Sequence, residues 1–248
     1  MVDTVTALGL LDDEDIALDR AALALSALDH EDADLAPYLA LLDRIEARLR
    51  RGGDGICGPA QAAEQLSLAL AGEFGFSGDR EAYDHPANAD MIRVLDRRRG
   101  LPIALAILYV ALARRLGWAA WPLNTPGHAV IGLGEGAKLG LDPFGGGERI
   151  DLSPEAIRPM SNRAALVRLL TNPASRAEAA GQTDRALTLV RRITMVAPDY
   201  SPGWWDRARL ERVSGDVAAA RSSLNAMLET TRDESMRARV KTALAGLG

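Results

Sequence analysis

Two side chains that could do chemistry together follow the most apolar segment of the chain. His128 ends a Pro-Gly-His sequence, and Asp142 opens an Asp-Pro-Phe sequence. An aspartate beside a histidine orients the imidazole ring and favours one tautomer, as in nucleophilic triads. We therefore predict that the two side chains lie within about 6 Å of each other, the span of one bridging water. The pair is either a remnant that stabilises the fold or binds a ligand, or a site with some catalytic role.

A nucleophile is missing from the place where this pair would use one. In a triad with the chain order nucleophile, histidine and acid, the nucleophile would stand at the start of the apolar helix predicted over 101–116. Pro102 suits the first position of that helix. Only Pro102, Ile103 and Ala104 stand there, and none of these side chains carries a thiol or a hydroxyl. Without a nucleophile, His128 could act at most as a general base on water.

The single cysteine, Cys57, is the alternative source of a nucleophile. It follows a glycine-rich break and precedes Pro59, and a thiol near a helix N-terminus can be activated by the helix dipole. The other interpretation is that Cys57 packs as a small apolar residue, as free cysteines usually do. His30, His85 and His128 are far apart in the sequence and lack the spacing of metal ligands. The sequence therefore predicts no metal site and no cofactor.

The composition is that of an ordinary globular protein of 248 residues with a net charge of −5. Its acidic pI, near 5.3, argues against a primary nucleic-acid role, because phosphate binding needs a basic face. A lone cysteine fits a reducing compartment. The first residues lack the basic start and apolar run of a signal peptide, and the apolar run Leu101–Ala113 is too short for a membrane span. We therefore expect a cytoplasmic protein.

Hydrophobic spacing divides the chain into a helical start, a short β region and a helical end. Leu and Ala recur at three- and four-residue intervals near the start, which is typical of amphipathic helices. Short segments separated by glycines then predict a small antiparallel meander packed on the most apolar helix. The predicted helices are 12–28, 32–50, 59–70, 88–98 and 101–116, the predicted strands are 118–123, 129–133, 139–142 and 148–152, and a helical region begins at Ser153.

The helical end contains an internal repeat of 34 residues. This offset separates Gly181 from Gly215 and Ala186 from Ala220. The same offset relates Val190 to Leu224, Ile193 to Met227 and Asp199 to Asp233. A 34-residue period with small residues where two helices touch is typical of tetratricopeptide repeats. Only about two units fit, so we expect them to pack on the core rather than to stand alone.

Taken together, these residues resemble the transglutaminase-like superfamily, whose core is papain-like. The resemblance rests on Arg99-Gly100-Leu101-Pro102, on Pro-Gly-His and Asp-Pro-Phe in this order, and on the repeat segment. More narrowly, the chain resembles the bacterial SirB-type branch, which joins such a core to C-terminal tetratricopeptide repeats. The resemblance implies an α+β, mostly helical fold with a small antiparallel sheet. It also implies a domain over residues 1–160, containing N-terminal helices and the core, and a repeat segment over residues 161–248.

The chain departs from that family at the catalytic position. Catalytic members have a cysteine after the glycine that opens the core helix, and alignment of the helix ends at Gly100 and Gly117 places it at or near Pro102. The SirB-type branch commonly has proline here too, with a serine two residues later, whereas this chain has Ala104. The resemblance therefore implies a degenerate triad.

Several residues outside the pair are candidates for contact with a ligand or partner. Arg99 ends a run of three arginines that could bind a carboxylate or, alternatively, pair with the acidic N-terminal helices. The packing of repeats accounts for at least one of two adjacent tryptophans, and the other is free to contact a partner. The candidates are Arg99, Tyr109, Asn124, Trp204, Trp205 and Arg209.

These patterns favour a non-catalytic function. We expect a cytoplasmic binding or regulatory protein. It would contact a protein partner through the cleft of the degenerate triad or through the repeat surface, and it would bind neither nucleic acid nor membrane. The rival hypothesis is amide hydrolysis or acyl transfer that uses His128 and Asp142 with Cys57 or water as the nucleophile. A purely architectural subunit is a third possibility, and it would have no open cleft near His128.

Overall fold

Helices form the first part of the chain, as the spacing of its apolar residues predicts. The computed structural model describes residues 2–52, 58–125, 128–152 and 157–247. All five helices predicted before the β region are present with shifted ends, and α1 is additional. The helices are α1 (Val2–Leu8), α2 (Leu18–Ala27), α3 (Ala36–Gly52), α4 (Pro59–Leu66), α5 (Met91–Arg97) and α6 (Pro102–Arg115), and α4 continues as a π-helix over Ser67–Glu73.

The helix predicted over 12–28 is two separate elements. A 3-10 turn, Asp13–Asp15, precedes α2, and the two residues between them have extended backbone, with ψ of 105° and 100°. The Asp13 carboxylate accepts hydrogen bonds of 2.8 Å from the backbone N–H groups of Asn162 and Arg163. Asp13 thus caps the N-terminus of a distant helix, and this capping interaction holds it apart from α2.

The central helix, α6, forms the middle of the core. Every residue from Pro102 to Ala113 is buried. The helix has no polar face over this length because α2, α3 and α4 contact it together with the sheet described below. At its C-terminal end Arg115 donates a 2.5 Å hydrogen bond to the buried carboxylate of Asp19. This ion pair ties the end of α6 to α2.

The predicted antiparallel meander is present and packs on α6. Its four strands pair in sequence order, and each pair is antiparallel. A parallel pair of two-residue strands, which has too few residues to give a periodic signal, precedes it. The short pair is β1 (Ser77–Gly78) with β2 (Arg99–Gly100), and the meander is β3 (Ala120–Asn124), β4 (Ala129–Leu133), β5 (Leu139–Asp142) and β6 (Glu148–Ile150).

The helical end begins later than the sequence predicts. Ser153 lies outside the described residues, and residues 157–161 are not helical. Pro159 forms a β-bridge with Leu123 instead, and the Asn124 N–H donates to the Arg158 carbonyl at 3.0 Å. Backbone pairing with the edge strand β3 therefore delays the first helix of this region to Asn162.

Five helices follow, and their spacing repeats. Gly181 and Gly215 precede the second and the fourth of them with positive φ of 73° and 83°, a conformation that favours glycine. The second and fourth helices have 14 residues each and start at equivalent positions of the 34-residue period. The helices are α7 (Asn162–Ala179), α8 (Thr183–Val196), α9 (Ser201–Val213), α10 (Val217–Thr230) and α11 (Glu234–Ala245).

The chain separates into two compact units. Unit 1 contains Asp12–Ala165, and unit 2 contains Val2–Leu11 together with Leu166–Gly248. In unit 2, α1 contacts α8, and α9 packs between α8 and α10. No helix in the described part of the chain combines the length and apolar character that a membrane span requires.

Candidate active site without a nucleophile

His128 and Asp142 meet at neighbouring strands of the meander. His128 directly precedes β4, Asp142 ends β5, and these strands pair antiparallel. His128 Nε2 lies 3.0 Å from Asp142 Oδ1, well inside the predicted separation. The ring nitrogen is not directed along a hydrogen bond, because Nε2 has no hydrogen-bond partner among the described residues. The two groups are therefore close neighbours without a hydrogen bond between these atoms.

The backbone after Asp142 fixes its carboxylate. Asp142 Oδ1 accepts a 2.9 Å hydrogen bond from the Phe144 N–H, an Asx turn of the kind that aspartate favours. The Asp142 carbonyl accepts a 2.8 Å hydrogen bond from the Gly147 N–H. A Cβ atom at Gly145 would come within 2.9 Å of Asp142 Oδ2. The glycines after Asp-Pro-Phe therefore form a close turn around the carboxylate.

Tyr109 of α6 is the third polar member of the site. Its side chain is fully buried, and Oη is the other buried side-chain polar atom without a hydrogen-bond partner in the described chain. Burial, with a smaller contribution from the negative charge of Asp142, raises the pKa of Tyr109. The hydroxyl is therefore protonated at neutral pH and can donate a hydrogen bond near Asp142.

Aromatic rings cover this polar group. The Phe144 ring centroid lies 6.0 Å from that of His128 and 5.7 Å from that of Tyr83. Gly78 of β1 lies close to the Phe144 ring, since a Cβ atom at Gly78 would come within 2.4 Å of it. The Gly78 N–H also donates to the Phe144 carbonyl at 3.0 Å. The aromatic wall formed by Phe144 and Tyr83 therefore depends on a glycine at position 78, which the sequence did not single out.

A polar network holds the loop that carries Tyr83. Arg97 donates to Asp79 at 2.7 Å and to Asn88 at 2.9 Å. Asn88 in turn donates to the Ala82 and Tyr83 carbonyls at 2.7 and 3.2 Å. The hydrogen bond from the Ala82 N–H, followed by those from Arg97 and Asn88, lowers the pKa of Asp79 against the effect of burial. Sequence reasoning missed this network, because its members come from separate elements with no recognisable spacing.

The start of α6 offers no nucleophile. Pro102 and Ala104 both lie in the first turn and are buried. Leu101, the residue before the helix, makes no side-chain capping hydrogen bond. Gly100 pairs with Gly78, the residue that contacts Phe144, so the aromatic wall connects the helix start to the His128 side of the site.

The other candidates of unit 1 lie outside the polar group. Arg99 is exposed and donates to the carbonyls of Gly75 and Arg98, at 2.9 and 3.0 Å. Asn124 is exposed at the end of β3 and pairs with Ala129, the residue after His128. Asn124 therefore lies at the edge of the site. Cys57 lies outside the described residues.

The candidates of unit 2 divide into one structural residue and two that line a cavity. Trp204 donates from Nε1 to the Pro198 carbonyl at 2.8 Å, and the Arg207 guanidinium lies 5.2 Å from its ring centroid. Trp205 and Arg209 line a cavity of about 230 Å³. All three side chains are half-buried, and the structure places Trp205 and Arg209, but not Trp204, on the lining of this cavity.

The polar group of unit 1 combines hydrogen-bond donors and acceptors. Tyr109 Oη can donate, the Asp142 carboxylate can accept, and the His128 ring can donate or accept according to its tautomer. Within the described ranges, no three His, Cys, Asp or Glu side chains are grouped as a metal site would need.

Comparison with known proteins identifies the family. The description of the transglutaminase-like superfamily matches residues 36–171. The UPF0162 protein of Xylella fastidiosa (strain 9a5c) is 27% identical over 243 residues, covering 90% of this chain and 86% of that protein. The UPF0162 protein of Pseudomonas aeruginosa is 27% identical over 256 residues, covering 97% and 94%. Human F-box only protein 21 is 31% identical over 100 residues, which cover 37% of this chain and 16% of that protein.

The family match extends from the start of α3 into α7, so it includes the central helix, the meander, His128 and Asp142. It spans more than half of the chain. The chain therefore belongs to the transglutaminase-like superfamily.

Proposed function

We propose that this protein is a non-catalytic member of the superfamily that acts as a cytoplasmic binding or regulatory module. The observation that carries the proposal is a pair of buried atoms without hydrogen-bond partners in the described chain, Tyr109 Oη and His128 Nε2. Asp142 lies 3.0 Å from the His128 nitrogen, and its charge also acts on Tyr109. Folded proteins satisfy nearly all buried polar atoms. Two unsatisfied atoms in one site therefore favour a polar group of a ligand or partner as their complement.

The first turn of α6 supports the non-catalytic part of the proposal. Pro102 and Ala104 replace any thiol or hydroxyl there. A tyrosine hydroxyl with a raised pKa is a poor substitute nucleophile at neutral pH, because little of it is ionised. His128 and Asp142 lie side by side, in a geometry suited to hydrogen bonding with a ligand.

We place the chain in the SirB-type branch, with C-terminal repeats of tetratricopeptide type. The equal lengths and 34-residue spacing of α8 and α10 support the repeat assignment. Ala186 and Ala220, the small residues at equivalent positions, are each 1% exposed. A cytoplasmic location is supported by the acidic charge and the single cysteine.

The catalytic question is tested by an amine-incorporation assay. The purified full chain is incubated with a glutamine-containing protein and a fluorescent amine, beside its His128→Ala variant. We expect equal background incorporation in both. Incorporation or ammonia release that depends on His128 would favour the rival hypothesis, in which Cys57 or water acts as the nucleophile.

The binding part is tested by photo-crosslinking in cells. A photoreactive phenylalanine analogue replaces Asn124, which is exposed at the edge of the site. We expect a discrete crosslinked species that Tyr109→Phe weakens, because the donor hydroxyl is lost while the ring remains. A crosslinked species that is unaffected by both Tyr109→Phe and His128→Ala would remove the site from the proposed function.

A further inference from the structure

We propose that unit 2 carries a separate recognition surface for an acidic peptide segment. A large apolar side chain of the segment would fill the cavity beside Trp205, and a neighbouring carboxylate would pair with Arg212. This proposal deepens the proposed binding function by naming a partner class, but it does not depend on the site at His128. We call the surface the Trp205 pocket. It is lined by Trp205, Ala208, Arg209, Arg212, Leu224, Ala243, Gly246 and Leu247.

The size of the Trp205 pocket suits one side chain. Its volume of about 230 Å³ is below the 300–1,000 Å³ typical of small-molecule and cofactor sites. Five of the eight lining residues are apolar apart from their backbone, and the indole of Trp205 adds an aromatic wall. Burial of a leucine- or phenylalanine-sized side chain on such a wall is the usual basis of a binding hot spot.

The walls of the pocket are held by the fold. Ala208 and Leu224 belong to a buried cluster with Met227 and Val240, against which Trp205 packs. The Arg239 guanidinium lies 5.2 Å from the Trp205 ring centroid. The indole is thus positioned from α11 before any partner binds, which lowers the entropy cost of association.

The charges around the pocket select an anionic partner. Between Ser201 and Leu247 there are eight basic and six acidic residues, although the whole chain has a net charge of −5. The two arginines of the lining differ in their contacts. Arg209 forms a bidentate pair with Glu178 and lies 3.7 Å from Asp206. Arg212 is exposed and makes no ion pair with any residue in the described part of the chain.

This difference determines which of the two arginines the carboxylate of the bound segment contacts. A carboxylate near Arg209 would meet the negative charges of Glu178 and Asp206, whereas one near Arg212 would meet an unpaired guanidinium. Arginine forks bind carboxylates in a bidentate manner and keep their charge at any physiological pH. The peptide carboxylate is therefore assigned to Arg212. Arg209 lines the pocket, and its charge is already balanced by Glu178 and Asp206.

The test is selection from a random heptapeptide phage library on the immobilised full chain. We expect enriched sequences in which Asp or Glu lies within two positions of a Leu, Ile, Met or Phe. A synthetic peptide of the enriched sequence is then titrated against the full chain. Trp205→Ala should weaken its binding by about 30-fold, the loss typical of an aromatic hot spot. Arg212→Gln should weaken binding by about 3- to 10-fold and reduce its salt dependence, with partial recovery in Arg212→Lys.

Two further variants keep the test decisive. If Trp205→Ala perturbs unit 2 in its circular dichroism melt, Ala243→Leu fills the pocket from α11 and should abolish binding in a folded protein. His128→Ala should bind the peptide normally, so failure of this surface is distinguishable from failure of the site in unit 1. Absence of enrichment, enrichment of basic peptides, or equal binding by Ala243→Leu would overturn the proposal. Preferential binding to vesicles of phosphatidylcholine and phosphatidylserine, lost in Arg212→Gln, would overturn it in favour of a membrane surface.

Discussion

The hydroxyl of Tyr109 destabilises the free protein unless another group binds it. A buried polar atom without a partner loses its hydration and gains nothing in return, at a cost of about 1–3 kcal/mol. His128 Nε2 also lacks a hydrogen bond within the described residues, although the Asp142 carboxylate lies 3.0 Å away. Such unsatisfied groups are rare in folded proteins and are most informative where they occur together.

Replacing Tyr109 with phenylalanine therefore should not destabilise the protein. We expect the free energy of unfolding of Tyr109→Phe to stay unchanged or to rise by up to about 2 kcal/mol, because the unsatisfied hydroxyl is removed while the ring is kept. Urea denaturation followed by circular dichroism measures the difference. Tyr38→Phe is the control, since the Tyr38 hydroxyl donates to Asp96 at 3.3 Å. A loss of more than about 1 kcal/mol in Tyr109→Phe would mean that Oη is satisfied in the free protein.

Asp79 should contribute stability that depends on pH. Hydrogen bonds lower its pKa in the folded protein below the value of about 3.9 in the unfolded chain. A lowered carboxyl pKa stabilises the fold above the unfolded value, and the stabilisation is lost as the pH falls through the folded value. We expect Asp79→Asn to be less stable than the wild type at pH 7, with the gap closing as the pH drops below about 4. Denaturant melts across this range test the expectation against exposed Asp151→Asn, for which the gap should be small at every pH.

At the scale of elements, α6 is both the central helix of the core and the helix whose first turn faces the question of catalysis. Its apolar length makes it the core of unit 1, and its first turn carries Pro102 and Ala104, where the resemblance to the superfamily predicted a nucleophile. Pro102 in that turn cannot supply a backbone N–H to a developing oxyanion. The proposed absence of catalysis therefore agrees with both side chains and with the backbone of this turn.

Installing a cysteine should not restore acyl transfer. We expect neither Pro102→Cys nor Ala104→Cys to show a burst of acyl-enzyme with an activated ester, because catalysis needs an oriented base and oxyanion donors held to within roughly 0.5 Å. Rapid-quench mass spectrometry of the full chain measures the burst. The double variant with His128→Ala separates general thiol reactivity from catalysis. A burst that disappears in the double variant would overturn this prediction.

The helices of unit 2 pack closely at their alanines. Ala220 of α10 is 1% exposed, whereas Ala218, on the same helix, is exposed. We expect Ala220→Leu to destabilise the protein by about 1–3 kcal/mol through overpacking, and Ala218→Leu to have little effect. Thermal melts of both variants provide the comparison. Equal stabilities would mean that the neighbouring helices can move apart at no cost, and the 34-residue period would then lack its packing basis.

At the scale of the whole molecule, chain order and compact units do not coincide. Residues Val2–Leu11 belong to unit 2, although unit 1 begins at Asp12. Helix α1 contacts α8, and Val5 of α1 is fully buried. Unit 2 therefore needs both ends of the described chain for its core, and unit 1 is formed from the segment between them.

A substitution near the start of the chain should consequently loosen helices near its end. We expect Val5→Ala to lower the stability of unit 2 by about 1–3 kcal/mol, since it opens a cavity against α8. Hydrogen exchange read by mass spectrometry should show faster exchange in α8 than in α2. Leu10→Ala is the matched control, because Leu10 is 85% exposed and its truncation should change neither. Faster exchange in α2 alone would contradict the assignment of α1 to unit 2.

Strong local periodicity explains which elements could be predicted. The helix over 101–116 and the strands over 129–133 and 139–142 are found at or within one residue of their predicted bounds, because each carries a continuous pattern between clear breaks. The elements that were missed or misplaced depend on distant partners. Asp13 binds the start of α7, Pro159 pairs with Leu123, and the two-residue strands β1 and β2 have no pattern of their own.

The sequence by itself determined the chemistry that is available: a histidine, an aspartate, and no nucleophile at the start of the central helix. It also indicated the order of helices and strands and the 34-residue period, since these follow from short-range spacing. Only the tertiary structure decided which side chains meet. The grouping of Tyr109 with His128 and Asp142, the approach of Gly78 to Phe144 and the Asp79 network all join residues from separate elements. Such contacts are fixed by packing and hydrogen-bond satisfaction across the fold, and no local spacing in one sequence records them.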